Sequence, residues 1–220
     1  MPILEIENLG YAYGKHTVLR EISIKLEQGK MYAILGPSGC GKTTLLSLLG
    51  GLDSPAGGQI LYQGEDIAKT GLANHRRSHV AFIFQGYNLI DYLTPMENVA
   101  LTSKQPPLPI LERLGLTPEE AKRNVLKLSG GQQQRVAIAR ALASDAQVIL
   151  ADEPTGNLDE DTAAEITSIL KNSAHQAGKC VVAVTHSNDL AKEADVVFQL
   201  RKGQLQVSSG CSARKCQPDI

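Results

Sequence analysis

The chain has 220 residues, of which 42% are apolar and 20% are charged, a composition that suits one α/β domain and excludes a disordered protein. Its net charge of −1 gives no general attraction to nucleic acid or anionic lipid, so no nucleic-acid partner is expected. The sequence contains neither an apolar run near the ~20 residues that span a bilayer nor a recognisable N-terminal signal peptide, so we expect any membrane-spanning part to come from another chain.

The first third of the chain predicts short strands around one helix. Two segments alternate apolar and polar residues, as antiparallel strands with one solvated face do: 3–7 and 22–26. A short apolar run, 31–35, predicts a buried strand, and a glycine-rich loop follows it. The loop opens a predicted helix over 42–49 that ends at Gly50 and Gly51, and 59–62 is typical of another edge strand.

The rest of the chain alternates predicted strands with predicted helices. Apolar runs predict buried strands at 80–85, 148–151 and 180–184. Helix formers and helical spacing predict helices at 111–114, 118–126, 132–143 and 162–171. Strands separated by helices indicate a parallel sheet that is covered on both faces, and therefore an α/β fold. From about residue 208 we expect a frayed tail.

The loop after the third predicted strand fits the pattern G-x-x-x-x-G-K-[ST] and lies between a strand and a helix, as that phosphate-binding pattern requires. Its residues are Gly36, Pro37, Ser38, Gly39, Cys40, Gly41, Lys42 and Thr43, and Thr44 follows. Consecutive backbone amides and the positive end of the helix bind phosphate oxygens in such a loop. We expect Lys42 to reach the β- and γ-phosphates of ATP, and the Thr43 hydroxyl to bind Mg²⁺.

Two adjacent acids end the predicted strand at 148–151. A carboxylate at the tip of a parallel strand beside the phosphate loop is well placed to hold Mg²⁺, which we assign to Asp152. Glu153 is then positioned to orient or deprotonate the water that attacks the γ-phosphate. In isolation, an acidic turn after a buried strand would be an ordinary structural feature.

A second predicted anion-binding helix start lies at Ser129, Gly130, Gly131 and Gln132. One triphosphate does not need two such cradles from one chain, which favours two chains that face each other. This segment resembles the signature motif of the ATP-binding cassette (ABC) family, and the resemblance extends over about residues 3–207. It implies a RecA-like P-loop core, an antiparallel β edge subdomain, a helical subdomain and a head-to-tail homodimer around two ATP·Mg²⁺.

Four further residues match the family's motifs in the expected order. Tyr13 resembles the aromatic residue that stacks on adenine, although a lone aromatic is more often a core residue. Gln85 resembles the glutamine that senses Mg²⁺ and the attacking water. Asp159, in Asn157-Leu158-Asp159, resembles the residue that contacts the opposing subunit, and His186 resembles the histidine that hydrogen-bonds to the γ-phosphate. The set implies competent hydrolysis, with Glu153, His186 and Gln85 as its catalytic residues.

The finer sequence pattern resembles the branch of the family that serves lipoprotein release, macrolide export and antimicrobial-peptide resistance. This resemblance implies a multi-span membrane permease that contacts the region Gln85–Thr94, and a cytoplasmic, peripheral location on the inner face of the cell membrane. Residues 1–220 then form one nucleotide-binding domain, in which 1–86 and 146–207 are the catalytic core, 87–145 the helical part and 208–220 the tail. The segment between Gln85 and Ser129 looks shortened. An ABC-type ATPase that acts on ribosomes or DNA is the alternative.

The cysteines and the other histidines have no predicted catalytic or metal-binding role. Cys40 and Cys180 are typical of reduced thiols. A disulfide or a metal site at Cys211 and Cys216 is not favoured, since zinc sites usually need four ligands. The other histidines are interpreted as surface residues: His16, His75, His79 and His175.

Overall fold

The computed structural model describes residues 2–156 and 158–208. The strands are β1 (Pro2–Tyr13), β2 (His16–Glu27), β3 (Met31–Leu35), β4 (Gly57–Tyr62), β5 (Glu65–Asp66), β6 (Val80–Ile83), β7 (Val148–Asp152), β8 (Cys180–Thr185), β9 (Val196–Arg201) and β10 (Gln204–Val207). The helices are α1 (Lys42–Leu49), α2 (Ile67–Thr70), α3 (Leu72–Ser78), α4 (Pro95–Ala100), α5 (Leu108–Arg113), α6 (Pro118–Ala121), α7 (Gly130–Leu142), α8 (Glu160–His175) and α9 (Asn188–Glu193). A short 3-10 turn covers Val125–Lys127.

The strands form two sheets. An antiparallel sheet has the order β2-β1-β4-β5, and a second sheet has the order β10-β9-β3-β8-β7-β6. In the second sheet β9, β3, β8, β7 and β6 are parallel, while β10 pairs antiparallel with β9 at the edge. The α/β fold predicted from the alternation of strands and helices is therefore confirmed, as is the antiparallel edge sheet.

The central strands are buried on both faces because their residues are apolar in both alternating positions. Met31 and Ala33 of β3 face one apolar core together with α7 and α8, whereas Tyr32 and Ile34 face the other core together with α1. Leu35 pairs with Thr185, and Asp152 pairs with Val184. The loops that follow β3, β7 and β8 therefore leave the same edge of the sheet side by side, which is where α/β sheets bind ligands.

Two predicted boundaries are wrong for local reasons. The strand predicted at 80–85 ends at Ile83, because the Tyr87 N–H donates to the Phe84 carbonyl and turns the chain. The helix predicted at 118–126 ends at Ala121. Asn124 interrupts it, since its side chain accepts from the Leu126 N–H at 2.9 Å and offers the backbone an alternative to the helix.

His75 is buried, which contradicts the surface interpretation. Its Nε2 lies 3.0 Å from the Leu49 carbonyl oxygen at the end of α1, and its Nδ1 lies 3.2 Å from Nδ1 of His79. The Tyr62 ring stacks on His79 at a centroid distance of 4.0 Å. These partners satisfy the imidazole of His75 and make its burial possible, while the burial lowers its pKa.

Cys180 is fully buried, and burial raises the pKa of its thiol to about 12. The predictions that concern Cys211, Cys216 and Asn157 lie outside the described residues. Among the residues that the structure describes, none of the helices is long and apolar enough to cross a membrane.

Candidate functional site

The glycine-rich loop joins β3 to α1 and is shaped by two left-handed glycines. Gly39 and Gly41 have φ angles of 75° and 104°, which glycine adopts without strain. Gly41 caps α1 without any side-chain hydrogen bond. The first amides of α1 therefore have no side-chain acceptor, and they point into the loop, where an anion can accept from them.

The Lys42 side chain is folded into this loop. Its Nζ donates to the carbonyl oxygens of Gly36 at 2.8 Å and Pro37 at 3.3 Å. The same nitrogen lies 3.8 Å from Oε1 of Glu153, and both side chains are only 9% exposed. A cation is thus held inside the loop by carbonyl oxygens and a carboxylate, where it can bind the oxygens of a polyphosphate.

Asp152 and Thr43 form a pair of hard oxygen ligands next to Lys42. The Thr43 hydroxyl donates to Oδ1 of Asp152 at 3.3 Å. Burial raises the pKa of Asp152, and the neighbouring Glu153 adds to this effect, whereas the Thr43 hydrogen bond and Lys42 oppose it. Hydroxyl and carboxylate oxygens are ligands that suit Mg²⁺. A bound cation would also offset the desolvation of the buried Asp152 carboxylate, so these residues fit the ion.

Glu153 faces Lys42 on one side and His186 on the other. Its Oε1 lies 2.8 Å from Nδ1 of His186, and its Oε2 accepts from the His186 backbone N–H at 3.2 Å. The backbone of Glu153 has a φ angle of 47°, a left-handed conformation that costs a non-glycine residue about 1–2 kcal/mol. This backbone conformation places the carboxylate between Lys42 and His186.

A pocket of about 290 Å³ extends from the end of β1 to the phosphate loop. Its lining residues are Tyr13, His16, Val18, Gly39, Gly41, Lys42, Thr43 and Thr44. Tyr13 is 59% exposed and therefore does not belong to the core. The sequence did not identify His16 and Val18 as part of this region, because they reach it through the hairpin in which Tyr13 pairs with His16.

The structure does not bring the predicted signature residues to this pocket. Ser129 caps α7: its hydroxyl accepts from the Gln132 N–H at 3.3 Å, and Gln132 Oε1 accepts from the Ser129 N–H at 3.0 Å. This reciprocal capping box stabilises the helix start. Ser129 and Gly130 are exposed, and neither they nor Gly131 line the pocket.

Two further predicted residues lie near the edges of the site. Gln85 is exposed in the turn after β6, and its amide nitrogen approaches Gly156 in the loop that follows Glu153. Asp159 caps α8 by accepting from the Thr162 N–H at 3.0 Å. This hydrogen bond lowers the pKa of Asp159. Asp159 thus bonds to its own helix and not to the phosphate loop.

The fold and the cluster of Lys42, Thr43, Asp152, Glu153 and His186 define a P-loop nucleotide hydrolase. Comparison with known proteins gives its family. The family model described as ABC transporter matches residues 19–156. The uncharacterized ABC transporter ATP-binding protein YclH of Bacillus subtilis is 44% identical over 219 residues, which cover 94% of this chain and 97% of YclH. The chain belongs to the ABC transporter family and is an ABC ATPase.

Two further similarities extend this result. The macrolide export ATP-binding/permease protein MacB of Pasteurella multocida is 40% identical over 226 residues, which cover 95% of this chain and 34% of MacB, so the chain spans about a third of that protein. The dimeric structure of the cassette MJ0796 in a post-hydrolysis state, bound to ADP and Pi, superposes with a TM-score of 0.83 at 34% identity and covers 92% of this chain and 96% of MJ0796. These similarities support a role in transport and not one on ribosomes or DNA.

Proposed function

We propose that this chain binds ATP·Mg²⁺ at its phosphate loop, hydrolyses it as a head-to-tail homodimer and drives a separate membrane-spanning subunit, with export as the direction of transport. The observation that carries the proposal is the position of the Glu153 carboxylate, which lies 3.8 Å from the Lys42 Nζ and 2.8 Å from the His186 Nδ1. A buried carboxylate between a phosphate-binding cation and a histidine is the arrangement that phosphoryl transfer to water needs.

The phosphate loop holds the triphosphate in this proposal. Lys42 moves its hydrogen bonds from the loop carbonyls to the β- and γ-phosphates, and the amides at the start of α1 donate to the remaining phosphate oxygens. Thr43, Asp152 and Gln85 would hold Mg²⁺, which when bound neutralises charge on the two terminal phosphates. Tyr13 stacks on adenine at the far end of the pocket.

Glu153 performs the proton transfer. A water oxygen attacks the γ-phosphorus while a Glu153 oxygen takes its proton, and the bond between the γ-phosphorus and the bridging oxygen breaks to leave ADP. His186 holds the carboxylate in place through its side chain and its backbone N–H. In this proposal the imidazole also donates to the γ-phosphate once that group occupies the loop.

The homodimer follows from the exposed signature residues. Ser129 and Gly130, with Gly131 and Gln132, form a helix start that does not line the chain's own pocket, so in the proposed dimer they close over the phosphate loop of a second copy. Asp159 contacts the opposing subunit.

Two inactive variants test the shared site: Lys42→Ala removes the loop cation, and Ser129→Arg blocks the signature. Mixed one to one, they should regain ATPase activity, because one of the two shared sites is intact. No recovery at any mixing ratio would contradict a shared site.

A docking surface for the membrane partner is proposed at the region Gln85–Thr94. Tyr92 there is 80% exposed. A groove of about 810 Å³ is lined by apolar Phe82, Phe84 and Leu101, and by basic Arg76 and Arg77. It adjoins this region through Arg140, another lining residue, which donates to the Tyr87 and Asn88 carbonyls. A short amphipathic helix of a permease, carrying an apolar face and acidic side chains, would fit this groove. The chain would then lie at the cytoplasmic face of the membrane.

Co-purification tests the transport part. The tagged chain is isolated from detergent-solubilised membranes, and the ATPase activity of the recovered complex is measured. We expect a stoichiometric multi-span protein, which should be lost in a Phe84→Asp, Tyr92→Asp variant. A matched control, Glu112→Lys on the exposed side of α5, should retain it. Recovery of ribosomes or DNA without a membrane protein would contradict the transport role and leave the ATPase chemistry intact.

A further inference from the structure

A side-chain hydrogen bond joins β1 to the loop that follows α1. The Tyr11 hydroxyl donates to Oδ2 of Asp53, and Oδ1 of Asp53 accepts from the Ser54 N–H at 2.8 Å. Both carboxylate oxygens are therefore engaged, and the carboxylate has a fixed orientation. Because α1 is the helix of the phosphate loop, this bond ties the first strand to the phosphate-binding element across 42 positions of the sequence.

The Tyr11 ring also supports the Tyr13 ring. Their centroids are 5.0 Å apart and their planes meet at 83°, the edge-to-face geometry that aromatic pairs prefer. The two rings are therefore in direct contact at the end of β1. Tyr13 itself is 59% exposed and lines the pocket of the phosphate loop.

The pairing of β1 with β2 is irregular at this end of the strand. The ladder between β1 and β2 shifts its register between Leu9 and Tyr11, and again between Tyr11 and Ala12. Such irregularities leave residues unpaired and bend the strand. Without further support, an exposed tyrosine at the end of an irregular strand would sample several rotamers. Fixing the ring in one of them on binding would cost conformational entropy and would lower the affinity for the base.

We propose that Tyr11 and Asp53 are positioning residues that hold the Tyr13 ring in the orientation that stacks on adenine. This inference rests on the proposed role of Tyr13. Asp53 holds the Tyr11 ring through the hydrogen bond, and the Tyr11 ring holds the Tyr13 ring through the edge-to-face contact. Recognition of the base is thereby coupled to α1, the helix that binds the phosphates. A phenol is protonated at neutral pH, and the hydrogen bond to Asp53 raises the pKa of Tyr11 further, so Tyr11 is a donor under the conditions of the assay.

Titration calorimetry with two probes tests the inference. ATP reports on the base and the phosphates, whereas inorganic tripolyphosphate reports on the phosphate loop alone. We expect Tyr11→Ala to weaken ATP binding about three- to tenfold, and Tyr11→Phe and Asp53→Ala about two- to threefold. Tripolyphosphate binding should not change. In the ATPase assay KM should rise while kcat at saturating ATP stays the same, which a general loss of structure would not produce.

A matched control comes from the same strand. Glu7 accepts from the Gln59 side chain at 2.6 Å on the surface of the antiparallel sheet, so Glu7→Ala breaks a comparable exposed bond away from Tyr13. It should leave the affinity for both probes unchanged. An equal loss of ATP affinity in Glu7→Ala would show that any weakening of β1 has this effect, and it would overturn the positioning role.

Tyr13→Ala separates the two proposals. If Tyr13→Ala weakens ATP binding but Tyr11→Ala, Tyr11→Phe and Asp53→Ala do not, the positioning role is wrong and the stacking role of Tyr13 stands. If Tyr13→Ala leaves ATP binding unchanged, the stacking role fails and the positioning role fails with it. A loss of tripolyphosphate binding equal to the loss of ATP binding would place the effect in the phosphate loop and would also overturn the inference.

Discussion

Replacement of Glu153 by glutamine should separate ATP binding from hydrolysis. Glutamine has the same shape and keeps an oxygen that can accept from the His186 backbone N–H, which lies 3.2 Å from Oε2. It also removes the negative charge that lies 3.8 Å from the Lys42 Nζ. In this variant no carboxylate at position 153 competes with the phosphates for the Lys42 ammonium, so the affinity for ATP should not fall.

Turnover should fall steeply in the same variant, because an amide cannot take the proton of the attacking water. A positioned general base contributes about 100- to 10,000-fold, so the activation free energy should rise by about 3–5 kcal/mol.

Steady-state release of phosphate measures turnover, and equilibrium binding of a fluorescent ATP analogue measures affinity. The matched control is Glu112→Gln on the surface of α5, which should match the wild type in both assays. A Glu153→Gln variant that hydrolyses ATP at the wild-type rate would refute Glu153 as the base. A variant that loses binding together with hydrolysis would show that the carboxylate acts in holding the nucleotide.

Three further predictions follow from the described contacts. His75→Ala should lower the free energy of unfolding by about 2–4 kcal/mol in denaturant titrations, because it opens a cavity and leaves the Leu49 carbonyl without its partner; an unchanged midpoint would contradict this. Burial lowers the pKa of His75 below its ordinary value of 6.5, so at acidic pH the unfolded chain binds a proton at this residue more readily than the folded chain does. The free energy of unfolding should therefore fall as the pH drops below about 6.5, and denaturant titrations should show a smaller fall in His75→Ala. Asp152→Asn should weaken ATP binding about tenfold in the presence of Mg²⁺ but not in EDTA, and an equal loss under both conditions would argue against a metal role.

The features that could be predicted from the sequence are those defined by short local motifs. The phosphate loop and the pair Asp152-Glu153 each have a fixed spacing and follow an apolar strand, so their place at one edge of the sheet followed from the fold class. The capping box of Ser129 and Gln132 is likewise a local pattern. In these cases local chemistry and the global fold agree.

Other features depend on contacts between distant residues. The burial of His75 depends on the Leu49 carbonyl, 26 positions away, and nothing next to His75 in the sequence indicates it. The bond between Tyr11 and Asp53 likewise forms only when β1 lies beside the loop after α1. Asn124 interrupts the helix predicted at 118–126 through its local bond to the Leu126 N–H, and its side chain also donates to the Asp91 carbonyl. This second bond is a tertiary contact that adds to the local effect and overrides helix propensity.

The mass of the Glu153→Gln variant in solution, measured by light scattering with and without ATP·Mg²⁺, tests the central claim most directly. The proposed shared site predicts a monomer without nucleotide and twice that mass with saturating ATP·Mg²⁺. A second substitution, Ser129→Arg, should abolish the doubling while the chain still binds ATP. A variant that binds ATP and stays monomeric, or that dimerises regardless of Ser129, would contradict a site completed by the signature of a second copy.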